Sequence, residues 1–220
     1  MARSIYIASP SAGSGKSTVA LGLVASLTKV VAKVGVFRPF VESREDDPFL
    51  NLLLARSGSA AEAASCVGVT WDEYYESPED SLSTIVDAYR AVAREHDVVV
   101  IDGSDHDGAA GTPELALNGQ VAANIDAPVL LVVNGQEGAD GVRASVEASI
   151  ADLADHHART VAVIANKCEP EDREAVAANL AGIDGVTVST LPEVPLLGAA
   201  TVREHMNALD GTFIAGDEAL

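Results

Sequence analysis

A glycine-rich segment near the start of the chain constrains its fold more than any other feature. Residues 10–18 read P-S-A-G-S-G-K-S-T, directly after the apolar run 4–8 and directly before a stretch with helical character. Gly15, Lys16 and Ser17 match the second half of the pattern G-x-x-x-x-G-K-[ST], which forms a loop around phosphate groups. The strand–loop–helix order favours such a phosphate-binding loop (P-loop) over a helix start that is only rich in small residues.

The residues of this loop have distinct expected roles. Pro10 stands where the pattern has its first glycine, and Gly13 supplies the flexibility that lets backbone N–H groups turn inward. We expect Lys16 to neutralise the β- and γ-phosphates of a nucleotide and the Ser17 hydroxyl to bind Mg²⁺. The start of the following helix adds a partial positive charge. We therefore assign binding of a cofactor, Mg²⁺ with ATP or another nucleotide, to Gly13, Gly15, Lys16, Ser17 and Thr18.

Short β-branched runs alternate with longer amphipathic stretches along the chain. The central runs, such as 128–133, are continuously apolar, which is typical of parallel strands covered by helices on both faces. We therefore predict one three-layer α/β domain over residues 1–220, with a mainly parallel sheet and a P-loop. The predicted strands are 4–8, 34–38, 67–69, 97–102, 128–133, 160–166, 186–191 and 212–215. The predicted helices are 16–31, 47–57, 78–96, 114–125, 138–157, 171–181 and 201–209.

Polar side chains at the predicted strand ends could complete the site. Asp102 ends a buried strand, and a carboxylate at this position beside the P-loop could bind Mg²⁺. The alternative is that Asp102 is a solvated residue at the end of a strand. Asp46 or Asp47 could add another carboxylate, although Asp47 could instead cap the helix that follows. Arg38 could bind a phosphate or carboxylate through two hydrogen bonds. Asn166 could meet an adenine edge or belong to an ordinary turn. The metal candidates are Ser17, Asp47 and Asp102, and the further cofactor candidates are Arg38 and Asn166.

The charge balance and the cysteine count exclude several classes of protein. The chain has 14 Lys and Arg against 33 Asp and Glu, a net charge of -19, which disfavours nucleic acids and anionic membranes as partners. No apolar run approaches the roughly 18 residues of a membrane helix, and residues 1–9 do not resemble a secretory signal. Cys66 and Cys168 have neither a disulfide nor a metal-ligand spacing. We therefore expect a cytoplasmic protein with no nucleic-acid or membrane partner.

Several of these motifs, taken in order, resemble dethiobiotin synthetase. They are the P-loop, F-R-P at 37–39, Asp47, Asp102-Gly103, I-A-N at 164–166 and P-L-L-G at 195–198. The resemblance implies a metal site completed by two carboxylates and an adenine contact at Asn166. Two departures speak against carboxylation chemistry. Arg38-Pro39 replaces the Lys-Pro whose lysine serves the substrate, and D-G-S-D-H at 102–106 replaces a glycine-rich segment.

Longer stretches resemble the N-terminal domain of the long form of bacterial phosphate acetyltransferase, especially the actinobacterial kind. They are V-A-K-V-G-V-F-R-P at 31–39, L-L-L-A-R at 52–56, C-V-G-V-T at 66–70, V-V-V-I-D-G-S-D at 98–105, T-P-E-L-A-L-N-G at 112–119, A-N-I-D-A-P-V-L-L at 123–131, A-N-K-C-E at 165–169 and P-L-L-G-A-A-T-V at 195–202. In that family the module precedes a C-terminal catalytic domain that moves acetyl between coenzyme A and phosphate.

The resemblance implies a regulatory, ligand-sensing module with no catalytic residue of its own. We then expect the chain to be an N-terminal fragment whose partners are the catalytic domain of the same polypeptide, a small-molecule metabolite and further copies in a homo-oligomer. Two alternatives remain open. One is a free-standing ATP-dependent carboligase of the dethiobiotin synthetase type. The other is a partitioning-type ATPase switch, although Ser11 stands where those proteins usually have an additional lysine.

Overall fold

The computed structural model describes residues 2–45, 47–104, 114–198, 206, 209 and 211. The strands within them are β1 (Arg3–Ala8), β2 (Val34–Val41), β3 (Val67–Thr70), β4 (Val98–Asp102), β5 (Val129–Asn134), β6 (Thr160–Cys168) and β7 (Thr187–Pro192). They form one sheet in the order β3-β2-β4-β1-β5-β6-β7, and every neighbouring pair is parallel. The predicted α/β architecture with a parallel sheet is confirmed.

Helices cover both faces of this sheet. They are α1 (Lys16–Leu27), α2 (Pro48–Ser57), α3 (Trp71–Glu76), α4 (Pro78–Glu95), α5 (Glu114–Asn124), α6 (Gly138–Asp155), α7 (Arg173–Leu180) and α8 (Pro195–Gly198), and a 3₁₀ turn spans Ala63–Cys66. The connections from β1 through β3 run toward one edge of the sheet, and those from β3 through β7 run toward the other. Because parallel crossovers are right-handed, α1 and α2 lie on one face and α4 to α7 on the opposite face.

The core lies between these layers and along the central strands. Ile7, Ile101 and Leu131, on β1, β4 and β5, are completely buried, as expected for strands that are covered on both faces. The chain leaves β1 toward one face and β4 toward the other, so a crevice opens at the carboxyl ends of these neighbouring strands. The P-loop and Asp102 meet at this crevice.

Strand β2 is longer than its sequence pattern predicts. It continues beyond Arg38 to Val41, although Pro39 lacks a backbone donor. Pairing of β2 with β4 ends at Phe37, so the last residues of β2 pair only with β3. Beyond Phe37 the strand therefore resembles an edge strand, which is where sheets tolerate proline.

Other predicted boundaries shift by a few residues at the ends of elements. Helix α1 ends at Leu27 rather than at residue 31, and a short helix forms at Trp71–Glu76. The predicted helix 201–209, apart from residues 206 and 209, and the predicted strand 212–215 lie outside the described residues. Among the helices that the structure describes, none is long and apolar enough to cross a membrane.

Candidate functional site

The loop between β1 and α1 has the backbone conformation that its glycines predicted. Gly13 and Gly15 have φ angles of 76° and 80°, in the left-handed region that glycine adopts without strain. The Ser9 hydroxyl oxygen lies 2.8 Å from both Ser11 O and Ser14 Oγ. These short contacts hold the loop in a defined shape ahead of the first turn of α1, whose N–H groups have no intrahelical acceptor.

Lys16, the first residue of α1, is buried against the end of β4. Its Nζ donates to Asp102 Oδ1 at 2.7 Å and to the carbonyl oxygen of Gly103 at 2.5 Å. The side chains of Lys16 and Asp102 are only 1% and 0% exposed. A charge so far from water is stable only when it is paired and hydrogen-bonded, and both conditions are met here.

A second cation lies on the other side of Asp102. Arg38 Nε is 3.2 Å from Asp102 Oδ2, and its Nη1 forms an ion pair with Asp47 Oδ2. The guanidinium also lies 5.7 Å from the ring centre of Phe49, in the first turn of α2. The buried charge network of Lys16, Asp102, Arg38 and Asp47 therefore contains two cations and two carboxylates, and its formal charges balance.

The three predicted metal ligands, Ser17, Asp47 and Asp102, have different surroundings. Asp102 Oδ2 is buried and has no hydrogen-bond partner, because Arg38 Nε is near it but poorly aligned. Ser17 is half-buried and lines the pocket at the P-loop. Asp47 differs, since Oδ1 accepts from the Leu50 amide at 2.8 Å and Oδ2 pairs with Arg38. Asp47 thus caps α2, which was the alternative role that its sequence position allowed.

No group of three His, Cys, Asp or Glu side chains comes together as a metal site within the described ranges. A divalent cation at this crevice would therefore depend on oxygen atoms of a bound phosphate in addition to protein oxygens.

The end of β6 is attached to the P-loop by two side chains. Asn166 Nδ2 donates to Ser14 O at 2.8 Å, and Lys167 Nζ donates to Gly13 O at 2.7 Å. Lys167 has a φ of 60°, an unusual value for a residue with a side chain. A Cβ on Gly15 would collide with Asn166 Nδ2, so glycine is required there for this contact as well as for its φ.

A pocket of about 700 Å³ extends from the P-loop along α1 to the segment after β7, a size typical of small-molecule sites. Three apolar side chains at its far end are partly open to solvent: Leu191 is 40% exposed, Val194 47% and Leu197 68%. Charged residues at the pocket include Lys16, Lys167 and Glu193. The pocket therefore has the P-loop at one end and apolar side chains at the other.

Gly103, whose carbonyl accepts from Lys16, is connected in turn to α5. A Cβ on Gly103 would lie 2.6 Å from Asn118 Oδ1, so only glycine fits. Asn118 Oδ1 accepts from the Ser104 amide at 2.9 Å and from the Tyr6 hydroxyl at 2.7 Å. Burial, and to a lesser extent the charge of Asp102, raises the pKa of Tyr6 well above its ordinary value of 10.0.

The structure separates the predicted site residues into two groups. Those that line the pocket are Gly13, Gly15, Lys16, Ser17, Thr18 and Asn166. Arg38, Asp47 and Asp102 are joined instead behind Lys16, in the buried charge network. Asp46 and residues 105–113 lie outside the described residues. Lys167 and Glu193, which had no predicted role, also line the pocket. Both lie near the end of a predicted strand, where site residues of a parallel sheet collect.

Comparison with known proteins is consistent with this geometry. A family model described as "AAA domain" matches residues 3–201. Phosphate acetyltransferases of Synechocystis sp. and Nitratidesulfovibrio vulgaris are 25% and 27% identical over 100% and 98% of this chain, which covers 33% of each relative. The chain thus spans about a third of the length of these relatives, and the match is to their N-terminal region.

Two further similarities broaden the comparison. Hydrogenobyrinate a,c-diamide synthase of Streptomyces coelicolor is 35% identical over 84% of this chain, which covers 35% of that protein. A solved structure of a plasmid partition protein from Borrelia burgdorferi bound to AMPPNP has a TM-score of 0.58 and 15% identity, covering 95% of this chain and 97% of that one. At such low identity the structural likeness shows the fold alone.

Proposed function

The chain belongs to the AAA domain family, and from that premise we propose that it is a nucleotide-binding regulatory module of a phosphate acetyltransferase. The similarity to two such enzymes over nearly the whole chain, and over only a third of each enzyme, supports this assignment. Residues 1–220 then form a single domain of a longer cytoplasmic polypeptide, whose catalytic domain interconverts acetyl-CoA and acetyl phosphate.

The position of Lys16 is the observation that carries the nucleotide site. Lys16 lies where the P-loop, the start of α1 and the pocket meet. Phosphate groups placed there would accept hydrogen bonds from the backbone amides of the first turn of α1. Lys16 would exchange its bonds to Asp102 and Gly103 for bonds to the phosphates. The remainder of the nucleotide would extend into the pocket toward Asn166.

Magnesium fits the same site through Ser17 and Asp102. When bound, Mg²⁺ neutralises phosphate charge. The role of this chain's residues would be to present the Ser17 hydroxyl and Asp102 Oδ2, which accepts no hydrogen bond and lies beside Arg38 at the end of β4. Arg38 keeps Asp102 oriented and supplies a compensating charge when Lys16 turns to the phosphates.

The exchange at Lys16 offers a physical route for regulation. Gly103 O loses its donor when Lys16 moves, and the neighbouring Ser104 is hydrogen-bonded to Asn118 on α5. A nucleotide at the P-loop would therefore change the contacts between the end of β4 and α5. We expect this face of the domain to transmit the binding signal to the rest of the enzyme.

Isothermal titration calorimetry with Mg-ATP tests the nucleotide site. The wild-type chain should release binding heat, and Lys16→Ala should abolish it because the phosphates lose their cation. Lys33→Ala is the control, since it removes an equal charge from an exposed position and should bind as the wild type does. Equal heats from the wild type and Lys16→Ala would contradict a nucleotide site at the P-loop.

The size of the parent protein tests the assignment to a longer enzyme. An immunoblot of the cells that naturally make the protein, probed with an antibody against this chain, should show a band far above the 22.6 kDa of the chain. The 220-residue chain alone should show no coenzyme-A-dependent acetyl transfer. A native band at 22.6 kDa, or acetyl transfer by the isolated chain, would contradict the proposed domain arrangement.

A nucleotide-dependent synthase is the second candidate function. The 35% identity to hydrogenobyrinate a,c-diamide synthase over most of the chain favours it. The engagement of Arg38 with two carboxylates speaks against a substrate-binding role at that position. Within this candidate, the carboligase of the dethiobiotin synthetase type that the sequence motifs resemble is directly testable, because it would release phosphate from ATP faster when diaminopelargonate and bicarbonate are added. We expect no such stimulation.

A further inference from the structure

Glu193 lies at the far end of the pocket in a defined position. It follows Pro192, the last residue of β7, and its backbone amide donates to Cys168 O at 2.9 Å. Its side chain is half-buried and lines the pocket. No hydrogen bond or ion pair to the part of the chain that the structure describes engages its carboxylate. An ionised carboxylate can only accept hydrogen bonds, so Glu193 offers two acceptor oxygens to a ligand.

Two further polar side chains that line the pocket, Asn166 and Lys167, are hydrogen-bonded to the P-loop. Asn166 uses one amide hydrogen on Ser14 O, and its Oδ1 remains an acceptor. Lys167 directs its ammonium group at Gly13 O. Both side chains attach β6 to the P-loop, so the distance between the phosphate end and the far end of the pocket is set by the fold. At the far end of the pocket, away from these P-loop contacts, the Glu193 carboxylate is a group that can only accept hydrogen bonds.

Apolar side chains beside Glu193 suit a flat aromatic group. Val194 and Leu197 are 47% and 68% exposed and line the same pocket. Exposed apolar side chains that line a pocket mark a ligand-binding surface. A planar base lying on them would have its edge within the same part of the pocket as Glu193.

Guanine and adenine differ in the hydrogen-bonding groups on the edge that a carboxylate would contact. Guanine carries the N1–H and 2-amino donors side by side, which matches the two oxygens of a carboxylate. Adenine carries a 6-amino donor next to N1, whose lone pair repels a carboxylate. We infer that the pocket selects guanine nucleotides over adenine nucleotides, with Glu193 accepting from N1–H and the 2-amino group. This inference rests on the proposed nucleotide site and specifies the base that it takes.

Calorimetric titration of the 220-residue chain with GDP, IDP and ADP, each with Mg²⁺, tests the inference. We expect GDP to bind about tenfold to a hundredfold more tightly than ADP, because hydrogen bonds to a charged group discriminate by that factor. IDP lacks the 2-amino group and should bind with intermediate affinity. Glu193→Gln offers one donor and one acceptor, and should reduce the ratio of GDP to ADP affinity by at least about tenfold.

Glu169→Gln is the matched control. Like Glu193 after β7, Glu169 directly follows a strand, β6, and is half-buried. It does not line the pocket, and its backbone carbonyl accepts from the start of α7. This variant should keep the wild-type ratio of affinities. Circular dichroism checks that both variants are folded. The wild-type titrations test the preference for guanine even if a variant does not fold.

Three results would contradict the inference, and each has a different meaning. Wild-type affinity for ADP equal to or above that for GDP would exclude guanine selection and leave the proposed nucleotide site intact. A ratio changed by Glu169→Gln and unchanged by Glu193→Gln would assign the selection to another carboxylate. Absence of binding by all three nucleotides would overturn both the inference and the proposed function.

Discussion

Lys16 and Asp102 are 86 residues apart in sequence and form a buried ion pair, with Nζ 2.7 Å from Oδ1. The pair joins the start of α1 to the end of β4 across the crevice in the sheet. Arg38 supplies a second cation to the same carboxylate. The residues that would meet phosphate are therefore also residues that hold the central strands together at this edge.

Loss of the Asp102 charge should destabilise the fold strongly. Asp102→Asn leaves two buried cations with one carboxylate, and removing one partner of a buried pair costs about 3–5 kcal/mol. Urea unfolding should show this loss in the free energy of unfolding. Asp97→Asn, at an exposed position next to β4, should change it by no more than about 0.5 kcal/mol.

A double variant separates the charge effect from a packing effect. Lys16→Met combined with Asp102→Asn should cost less than the sum of the two single changes, because the first removes a cation that the second leaves unpaired. Additive costs would show that the two side chains do not stabilise each other through their charges.

Arg38 should contribute far more to stability than an exposed arginine. Arg38→Ala leaves Asp47 and Asp102 without their shared cation, and both carboxylates are at most 8% exposed. We expect a loss of about 3–5 kcal/mol in the free energy of unfolding, measured with urea. Arg90 pairs with Asp87 at 3.4 Å, where the side chains are 54% and 76% exposed, so Arg90→Ala should cost at most about 1 kcal/mol. Similar costs for the two variants would contradict the buried charge network.

Tyr6 should make the folded state sensitive to alkaline pH. Burial raises its pKa above the ordinary value of 10.0, so above that pH the unfolded chain releases this proton before the folded chain does. The folded state then binds more protons, and the free energy of unfolding falls as pH rises past about 10. Tyr6→Phe should show a smaller fall between about pH 8 and pH 11 in urea unfolding.

The exposed Tyr75 provides the control for this pH dependence. Its side chain is 46% exposed, and Tyr75→Phe should retain the alkaline fall of the wild type. Tyr6→Phe also loses the hydrogen bond to Asn118, so we expect about 0.5–1.5 kcal/mol less stability at neutral pH. An alkaline fall of unchanged size in Tyr6→Phe would assign it to other groups.

The two cysteine thiols should be unreactive in the folded protein. Cys66 and Cys168 are 1% and 0% exposed, and burial raises the pKa of both thiols. The thiolate is the reactive form, so both effects slow reaction with a disulfide reagent at about pH 8. The labelling reaction, monitored by absorbance, should be slow in buffer. In denaturant both free thiols should be labelled quickly. Rapid labelling of the folded chain would show that these thiols open to solvent easily.

Local sequence patterns predicted most elements of the fold. The apolar runs at Val98–Asp102 and Val129–Asn134 became central strands, because continuous apolar residues are stable only where both faces are covered. The end of β2 was harder to predict. From the local sequence, Pro39 predicts the end of a strand. The strand continues in the structure because β2 pairs with a single neighbour beyond Phe37.

The candidate site was predictable only in part. The positions of Lys16 and Ser17 at the start of a helix follow from the motif and from the strand before it. Arg38 was predicted to face a ligand, whereas the structure shows it paired with Asp47 and Asp102. Its role toward a ligand stays a prediction.

The sequence by itself determined the class of fold and the presence of the P-loop, because these depend on local pattern and on a short motif. The residues that would bind phosphate stay a prediction. Only the tertiary structure decided which partners these residues have. Lys16 meets Asp102 across 86 positions, and Asn166 meets Ser14 across 152. Such pairs depend on the strand order, and the strand order follows from how the whole chain packs its helices on two faces of one sheet. No local pattern encodes that choice.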